Sequence, residues 1–506
     1  MKTEFSRKAL LITMLCLGLG YESTVSGKPN IIIMTDILNE PDDTQSMVRF
    51  LTHANEFNVL GLIASTGMYK NTDPRADAIL EIITGYETAY ENLRIHAPGF
   101  PTANDLRNIT VNGQTGLGMG SVGSGKDTAG SQLIIQQVDA ADGPVWITGW
   151  GGMNTLAQAL WNVRETRAPA QVDTFVAKIR TYDIAGQDDA GPWMCANFPS
   201  IFYIRNMRAW NGISRTSGEG AINYQKEYVS KEWFKTNIQE NHGVLGTQYP
   251  NATYIFEGDT PSFLYAFPVG LGDPENLSWG NWGGRFNAKK TKNPFGRTGF
   301  PTPPDFAMYT EARDTFSGYS NNEYIAVARW REAFQNEFAA RMNWCVASTY
   351  GAANHPPVAV VTGGLTRTVT SGSIVKLSAE GSTDPDGDTL TYHWWHYPEP
   401  SDYKTPLIIA DATSRDCRFI APNVTSTQTA HIILAVSDTG TPPLTRYQRV
   451  IVTISNKSPT VFAMLCNNST VPPDDPEPSE TFLKGINFNG ESVTIDGHPF
   501  MLLRRT

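Results

Sequence analysis

Residues 31–43 read Ile-Ile-Ile-Met-Thr-Asp-Ile-Leu-Asn-Glu-Pro-Asp-Asp, and this stretch decides the fold. Its apolar start predicts a strand buried on both faces, as in a parallel sheet. Acids at positions 36, 40, 42 and 43 follow at the carboxyl end of that strand, where open α/β sheets bind their ligands. Crowded carboxylates repel one another unless a cation neutralises them, and such hard oxygen ligands suit Ca²⁺ or Mg²⁺. The alternative is a solvated acidic turn before a helix that starts near Thr44, which explains Asp42 and Asp43 but not Asp36.

The alternation of strands with helices continues to about residue 350. Apolar runs predict the strands, and apolar residues at helical spacing predict the helices. Strands are expected at 59–65, 94–99, 144–148 and 175–179, and helices at 74–90, 155–161 and 322–344. We therefore expect residues 28–353 to form an α/β domain, with a mostly parallel sheet flanked by helices.

Two later strand ends carry further candidates. The glycine-rich turn at 149–154 has a ligand-facing geometry, or serves only for packing. In the loop at 183–193, Asp183, Asp188 and Asp189 would offer hydrogen bonds to sugar hydroxyls, and Trp193 would offer a stacking face. The alternative for this loop is a surface segment capped by a core tryptophan.

Two single residues complete the candidate set. Asp259 follows a short strand and would approach Asp36 in space, or it caps the helix that begins near Pro261. His242 is a candidate acid for a leaving group, although a structural histidine would explain it equally.

From residue 358 the pattern changes to short alternating strands separated by turn residues, which predicts an immunoglobulin-like β-sandwich over 354–455. Neighbouring Trp394 and Trp395 point to opposite faces of one strand. One is expected in the core, and the other either forms a sugar platform or packs against the first domain. The turn at 384–388, Asp-Pro-Asp-Gly-Asp, offers oxygens for Ca²⁺, although a plain tight turn is the favoured interpretation. Residues 456–506 predict a linker followed by a truncated β-module.

Composition and charge narrow the class of protein. The 506 residues carry a formal net charge of −10, which argues against nucleic acid or an anionic membrane as partner. Residues 1–27 have the basic start and short apolar core of a signal peptide, so the processed protein is expected to be secreted or periplasmic and free of the membrane. The later cysteines have no CxxC spacing, which argues against zinc and leaves disulfide pairing open. They are Cys195, Cys345, Cys417 and Cys466.

Two motifs carry a family resemblance. Thr35-Asp36 followed by Asp42-Asp43 resembles the aspartate signature of nucleoside hydrolases, and residues 151–157 resemble their Gly-x-x-Thr-Asn-Leu-Ala turn. Over about residues 28–455 the chain more closely resembles a secreted family of cellulose-binding proteins with a nucleoside-hydrolase-like domain. One departure is that residues 37–41 form a longer loop, without the glycine usual in nucleoside hydrolases.

The resemblance implies a calcium ion held by Asp36, Asp43, Asp259 and the carbonyl of Met153 or Asn154, with Asp36 as the base that takes a proton from water. The expected function is that of a secreted hydrolase acting on a glycosidic bond of a saccharide, including an N-glycosidic bond. The alternative is a non-catalytic protein that binds cellulose or cell-wall polysaccharide, and the longer acidic loop favours it. Candidate substrate contacts are Asn39, Asp42, Asn154, Asp188, Asp189, Trp193 and His242.

Overall fold

The computed structural model describes residues 27–252, 255–294 and 299–456, with the backbone of two short strands near the C-terminus. The chain divides into two compact units, residues 1–457 and 458–506. In the second unit, Thr494–Ile495 pairs antiparallel with His498–Pro499. The predictions for a signal peptide, for the tail at 456–506 and for Cys466 fall almost entirely outside the described residues.

An eight-stranded sheet forms the centre of the first unit, in the order β3-β2-β1-β4-β5-β6-β8-β7. Every pairing in it is parallel except that of β7 with β8. Its strands are β1 (Asn30–Thr35), β2 (Asn58–Ala64), β3 (Thr110–Asn112), β4 (Val145–Gly149), β5 (Ile179–Ile184), β6 (Phe202–Asn206), β7 (Thr291–Lys292) and β8 (Ala307–Thr310). A small hairpin, β9 (Asp314–Phe316) with β10 (Tyr319–Asn322), follows. The prediction of a mostly parallel α/β sheet is confirmed.

Helices surround this sheet. They are α1 (Pro41–Thr52), α2 (Ala76–His96), α3 (Ala103–Asn108), α4 (Ala129–Ala140), α5 (Asn154–Thr166), α6 (Pro169–Lys178), α7 (Ala190–Asn197), α8 (Lys231–Phe234), α9 (Gly243–Thr247), α10 (Pro261–Leu264), α11 (Ile325–Ala328) and α12 (Arg331–Trp344). No helix in the described part of the chain is both long and apolar enough to cross a membrane.

The first strand shows why the sheet is covered on both sides. Ile31 and Ile33 belong to one hydrophobic core, whereas Ile32 and Met34 belong to a second core across the sheet. All four side chains are fully buried, which is the alternation expected of a central parallel strand. Pro41 then begins α1, since proline suits the first turn of a helix.

Two predicted strands are helical in the structure. Residues 94–96 end the long helix α2, and residues 175–178 end α6. In α6 the buried residues Val172, Phe175 and Val176 recur at the spacing of one helix face, so an apolar cluster that looks like a strand locally belongs to a helix that starts at Pro169. The real strand, β5, begins only at Ile179.

In the second domain two mostly antiparallel sheets pack face to face and enclose a separate hydrophobic core. This confirms the predicted all-β domain. One sheet has the order β11-β16-β15-β13, and β12 pairs with β14 in the other. These strands are β11 (Thr366–Thr370), β12 (Ile374–Ser378), β13 (Thr391–His396), β14 (Asp416–Ile420), β15 (Gln428–Ser437) and β16 (Thr445–Ser455). The strand β11 runs parallel to β16.

The β-sandwich rests directly on the α/β domain. Trp394 lies in the sandwich core, whereas the ring of Trp395 packs against Trp330 of the first domain. This contact decides between the two roles predicted for the second tryptophan. Beside it, the fully buried Asp314 accepts hydrogen bonds from two arginines of its own domain and from Tyr397 of the sandwich, at 2.6 Å for the tyrosine.

The described cysteines are unpaired. Cys195, Cys345 and Cys417 are buried free thiols. Burial raises the pKa of each thiol to about 12, so they behave as apolar core residues.

Candidate functional site

A cluster of buried carboxylates lies at the carboxyl end of β1. Asp36 directly follows that strand, Asp42 and Asp43 lie in the first turn of α1, and Asp259 lies just before α10. Oxygen atoms of Asp42, Asp43 and Asp259 lie within 4.8 Å of one another. The sequence prediction grouped Asp36 with Asp43 and Asp259, whereas in the structure Asp42 completes the closest trio and Asp36 is a neighbour of Asp43.

Local contacts hold the trio in place. The Thr35 hydroxyl donates a hydrogen bond of 2.5 Å to Oδ1 of Asp43. The backbone N–H of Gly258 supports the ionised form of Asp42. A β-carbon on Gly258 would lie 2.5 Å from Oδ2 of Asp42, so this approach requires glycine.

Asp36 is packed tightly by two glycines. A β-carbon on Gly67 would lie 1.8 Å from its Oδ2, and one on Gly151 would lie 2.6 Å from its Oδ1. Asn39 donates to Oδ2 at 2.9 Å, but no donor among the described residues reaches the buried Oδ1. The glycine turn after β4 is therefore needed for the close approach to Asp36, and one carboxylate oxygen is left for a proton, a water or a ligand.

Burial controls the electrostatics of the cluster. It raises the pKa of Asp36 to about 6 and that of Asp42 to about 7, and nearby acids add to both shifts. The pKa values of Asp43 and Asp259 also lie well above their usual range, first because of burial and then because of the neighbouring carboxylates. Such a group of buried acids requires either protons or a cation to be stable.

The trio of Asp42, Asp43 and Asp259 opens into a narrow cleft of about 80 Å³, whose lining does not include Asp36. Sites for whole small molecules are usually about 300–1,000 Å³, so this cleft has room for an ion and the edge of a ligand but not for a whole small molecule. The lining residues are Glu40, Asp42, Asp43, Tyr69, Trp150, Ile184, Ala185, Gln187, Trp210 and Asp259. They include no lysine or arginine, and none offers nitrogen from histidine or sulfur from cysteine. This donor set fits a hard, oxygen-loving cation such as Ca²⁺.

The carboxylates of Asp188 and Asp189 hold loops together outside the cleft lining. The two oxygens of Asp188 accept the backbone N–H groups of Asn154 and Ala190, each at 3.1 Å. Oδ1 of Asp189 accepts the N–H of Met119 at 2.7 Å. Burial raises the pKa of Asp188 to about 7.

Two more candidates of the same loop are used in packing. Asp183 forms a buried ion pair with Arg205 at 2.8 Å. Trp193 lies under the guanidinium of Arg164, whose central carbon is 5.2 Å from a ring centroid of the tryptophan. Neither residue lines the cleft.

The turn residues Met153 and Asn154 serve the start of α5. The Met153 carbonyl accepts the first helical hydrogen bond, from the N–H of Ala157 at 3.1 Å. The side-chain amide of Asn154 donates to the carbonyl of Gly116 at 2.6 Å. The Met153 carbonyl and the Asn154 amide nitrogen thus have structural partners, whereas the buried Oδ1 of Asn154 receives no hydrogen bond among the described residues.

His242 lies apart from the cleft lining. Its Nε2 lies 3.0 Å from Oδ1 of Asn343, a residue of α12. Burial lowers the pKa of His242, which fits the structural role considered for it.

Comparisons with known proteins define the family. Residues 30–286 match the family model described as "Cellulose-binding Sde182, nucleoside hydrolase-like domain". Residues 374–454 match "Cellulose-binding protein Sde0182, C-terminal domain". The chain belongs to the cellulose-binding Sde182 family. This confirms the resemblance inferred from the two motifs.

Among solved structures, a nucleoside hydrolase-related hypothetical protein from Saccharophagus degradans, described as associated with carbohydrate metabolism, is 40% identical to this Sde182-family chain. The match covers 85% of this chain and 100% of that one, with a TM-score of 0.75. An inosine-uridine preferring nucleoside hydrolase from Bacillus anthracis is 11% identical, covering 62% of this chain and 98% of its own, with a TM-score of 0.34 that supports no conclusion here. The search of curated proteins returned no match.

Several cleft residues of this Sde182-family protein were not predicted from the sequence. Gln187 donates to the carbonyl of Trp150 at 2.7 Å and accepts from the N–H of Met68 at 3.0 Å. Because Gln187 lies next to the acids of the 183–193 loop in the sequence, that neighbourhood could have indicated it as a cleft residue. Tyr69 and Trp210 lie in stretches with no motif, and only the folded chain brings them to the cleft.

Proposed function

We propose that the cleft binds a divalent cation, with Ca²⁺ fitting best, and hydrolyses a glycosidic bond of a saccharide. The observation that carries this proposal is the trio of buried carboxylates, Asp42, Asp43 and Asp259, in a cleft whose lining offers no positive side chain. Buried charge without a partner is strongly unfavourable, so the folded cleft favours a cation.

The trio would hold the ion through carboxylate oxygens. When bound, the ion would neutralise the acids and polarise the hydroxyls and water that reach it. This ligand set includes Asp42 beside Asp43 and Asp259, and carbonyl and water oxygens would complete the roughly 6–8 ligands that Ca²⁺ takes.

Asp36, which adjoins Asp43 without itself lining the cleft, is then the candidate base. Its buried Oδ1 has no hydrogen-bond donor, and its carboxylate adjoins Asp43. In this scheme the glycosidic bond breaks through an oxocarbenium-like state while a water attacks the anomeric carbon, and Asp36 takes the proton of that water. The leaving group departs with the bonding electrons and takes its proton from solvent, since His242 lies outside the cleft lining.

The rim of the cleft fits a sugar. The Tyr69 side chain is largely exposed, and Trp210 is half-buried on the cleft lining. Aromatic rings present flat apolar faces that pack well on sugar rings. Since the cleft has a volume of only about 80 Å³, most of a saccharide would lie outside it, against this rim.

A second candidate is a non-catalytic carbohydrate-binding cleft. It is favoured by the placement of His242, because the proposed leaving-group acid lies outside the cleft lining. In this reading the cation and the rim grip a polysaccharide without cleaving it. Either role suits an exported protein, and export itself rests on the signal-like residues 1–27.

The test combines metal binding with hydrolysis. The chelator-treated chain is titrated with Ca²⁺ by calorimetry, beside Asp43→Asn and the control Asp189→Asn, which keeps an oxygen for the N–H of Met119. Loss of one binding event in Asp43→Asn alone supports the cleft site.

Saccharides and nucleosides are then screened for hydrolysis with Asp36→Asn as the partner variant. Hydrolysis that Asp36→Asn abolishes while Ca²⁺ binding persists supports the enzyme. Saccharide binding that depends on Asp43, with no bond cleaved in the wild type, supports the binding protein instead.

A further inference from the structure

A second group of acids lies in the β-sandwich, far along the chain from the cleft. Oxygen atoms of Asp384, Asp386 and Asp388 lie within 4.8 Å of one another. The turn is internally braced, because Oδ1 of Asp384 accepts the N–H groups of Asp386 and Asp388, both at 2.9 Å. Alternate acids of this kind also begin the calcium loops of EF-hands, where positions 1, 3 and 5 supply ligands.

The bracing leaves one oxygen of Asp384 without a partner. Its Oδ2 is buried and receives no hydrogen bond among the described residues. An acidic turn that only formed a tight bend would leave its outer oxygens in water. Here an inner oxygen is withdrawn from water with nothing to satisfy it.

Two deeply buried side chains beside the turn repeat this pattern. Oδ1 of Asp438 accepts three donors, namely the amide of Asn354 at 3.0 Å and the N–H groups of Gly440 and Leu444. Its Oδ2 accepts none. The Asn354 amide nitrogen also donates to the carbonyl of Pro442 at 2.8 Å, which fixes the amide and leaves its buried oxygen unpaired.

These side chains border the acidic turn. Asp438 is 3% exposed and Asn354 is 7% exposed. The N–H of His355, the residue after Asn354, donates to Oδ2 of Asp386 at 2.7 Å. Burial raises the pKa of Asp438 and the charge of Asp384 raises it further, which places the two carboxylates within electrostatic reach.

We propose that a divalent cation of the calcium class binds in the turn formed by Asp384, Asp386 and Asp388, with the unpaired oxygens of Asp438 and Asn354 facing its inner side. Carboxylate and amide oxygens are the ligands that Ca²⁺ takes in proteins, in sets of 6–8 that water completes.

The position of this site gives it a consequence for the domain junction. The carbonyl of Asn354 accepts the indole N–H of Trp344, at the end of the last helix of the α/β domain, at 2.8 Å. His355 stacks on Tyr350 with 3.7 Å between ring centroids. A cation between the turn and residue 354 therefore clamps the segment that joins the two domains.

The experiment uses the full chain carrying Asp43→Asn, which removes the cleft site and makes the result independent of the proposed function. After chelator treatment it is titrated with Ca²⁺ and, separately, with Mg²⁺. We expect one Ca²⁺ per chain with a Kd on the order of 10⁻⁴–10⁻³ M or tighter, as in extracellular modules. Absence of Ca²⁺ binding in this range overturns the proposal.

Two further variants locate the site. Adding Asp384→Asn should weaken Ca²⁺ binding at least about tenfold, as expected when a charged ligand is lost. Adding Asp388→Asn, at a partly exposed position that tolerates change, should do the same if the first variant fails to fold. The control Glu380→Gln, on an exposed side chain of the same domain, should bind like its parent. Equal affinity in all of these proteins refutes the assignment.

Hydrogen exchange tests the clamp separately. Ca²⁺ should slow exchange of the His355 amide, which donates to Asp386, in the Asp43→Asn protein but not after Asp384→Asn is added. Exchange at His355 that is unchanged by saturating Ca²⁺ would contradict the clamp.

Discussion

Replacing Asp314 by asparagine should lower the free energy of unfolding by weakening the contact between the two domains. Asp314 is fully buried and accepts hydrogen bonds from Arg285 at 2.6 Å, from Arg329 at 2.9 Å and from the Tyr397 hydroxyl at 2.6 Å. Asparagine removes the charge and keeps only one acceptor oxygen. Arg285 then loses its anion, and Arg329 keeps only the longer contact with Glu399 at 4.0 Å. Breaking a buried ion pair in this way costs about 3–5 kcal/mol of folding free energy.

Urea unfolding followed by tryptophan fluorescence measures this cost, since Trp330 packs at the same interface. The comparison variant Tyr397→Phe removes a single hydrogen bond to a charged acceptor, for about 1.5–3 kcal/mol. The double variant should cost less than the sum, because both changes act on one network. If Asp314→Asn costs less than Tyr397→Phe, the buried charge is not what holds the interface together.

The hydrogen bonds to Asp314 also predict how its contribution to stability changes with pH. Although burial acts in the opposite direction, Arg285 and Arg329 hold the pKa of Asp314 below its usual value of 3.8. A lowered carboxyl pKa stabilises the fold above the unfolded value and loses that contribution as pH falls below it. The cost of Asp314→Asn should therefore shrink below about pH 3.8.

Three other outcomes are expected. Gly67→Ala should abolish hydrolysis and lower the thermal midpoint, with a stability cost of about 1–3 kcal/mol, because the added β-carbon would collide with Asp36. The matched control is Gly120→Ala, whose β-carbon would meet nothing within 4 Å. Unchanged turnover in Gly67→Ala would contradict the packing argument. Burial lowers the pKa of His396 from 6.5 to about 4, so the unfolded chain takes up a proton at a higher pH than the folded chain, and the free energy of unfolding should fall as the pH drops from 6.5 to about 4. In urea titrations over this pH range, His396→Gln should reduce the fall in the free energy of unfolding. An equal fall in the variant and the wild type would refute the role of His396. In a protein carrying Cys16→Ser and Cys466→Ser, a thiol reagent at pH 8 should label no cysteine until the chain unfolds. Rapid labelling of the native protein would show the buried thiols to be accessible. These thiols are Cys195, Cys345 and Cys417.

Much of the fold could be predicted because the apolar pattern within a single strand shows whether one or both of its faces are buried. The residues 31–33 are all isoleucine, a β-branched residue that favours strands, and an apolar residue at every position fits a strand covered on both faces. The short apolar run at 175–179 was misread because strand and helix differ there only in the spacing of buried residues, which becomes clear over the whole of α6.

The candidate site was predictable only in part. The acids of one strand end are neighbours in sequence, so Asp42 and Asp43 were found directly. Asp259 comes from a distant part of the chain and was assigned by resemblance. Tyr69 has no pattern around it, since a residue that reaches a cleft from an irregular loop is placed by the tertiary fold alone.

The parallel pairing of β11 with β16 constrains how the protein is made. The first strand of the sandwich sits beside its last strand, so this sheet cannot close until nearly the whole domain has left the ribosome. During that interval the α/β domain has been synthesised, but its surface around Trp330 still lacks the aromatic partners that come from β13 and β16. The nascent chain therefore passes through a stage with an open sheet edge and an uncovered apolar face, the stage at which chaperone binding or aggregation competes with folding.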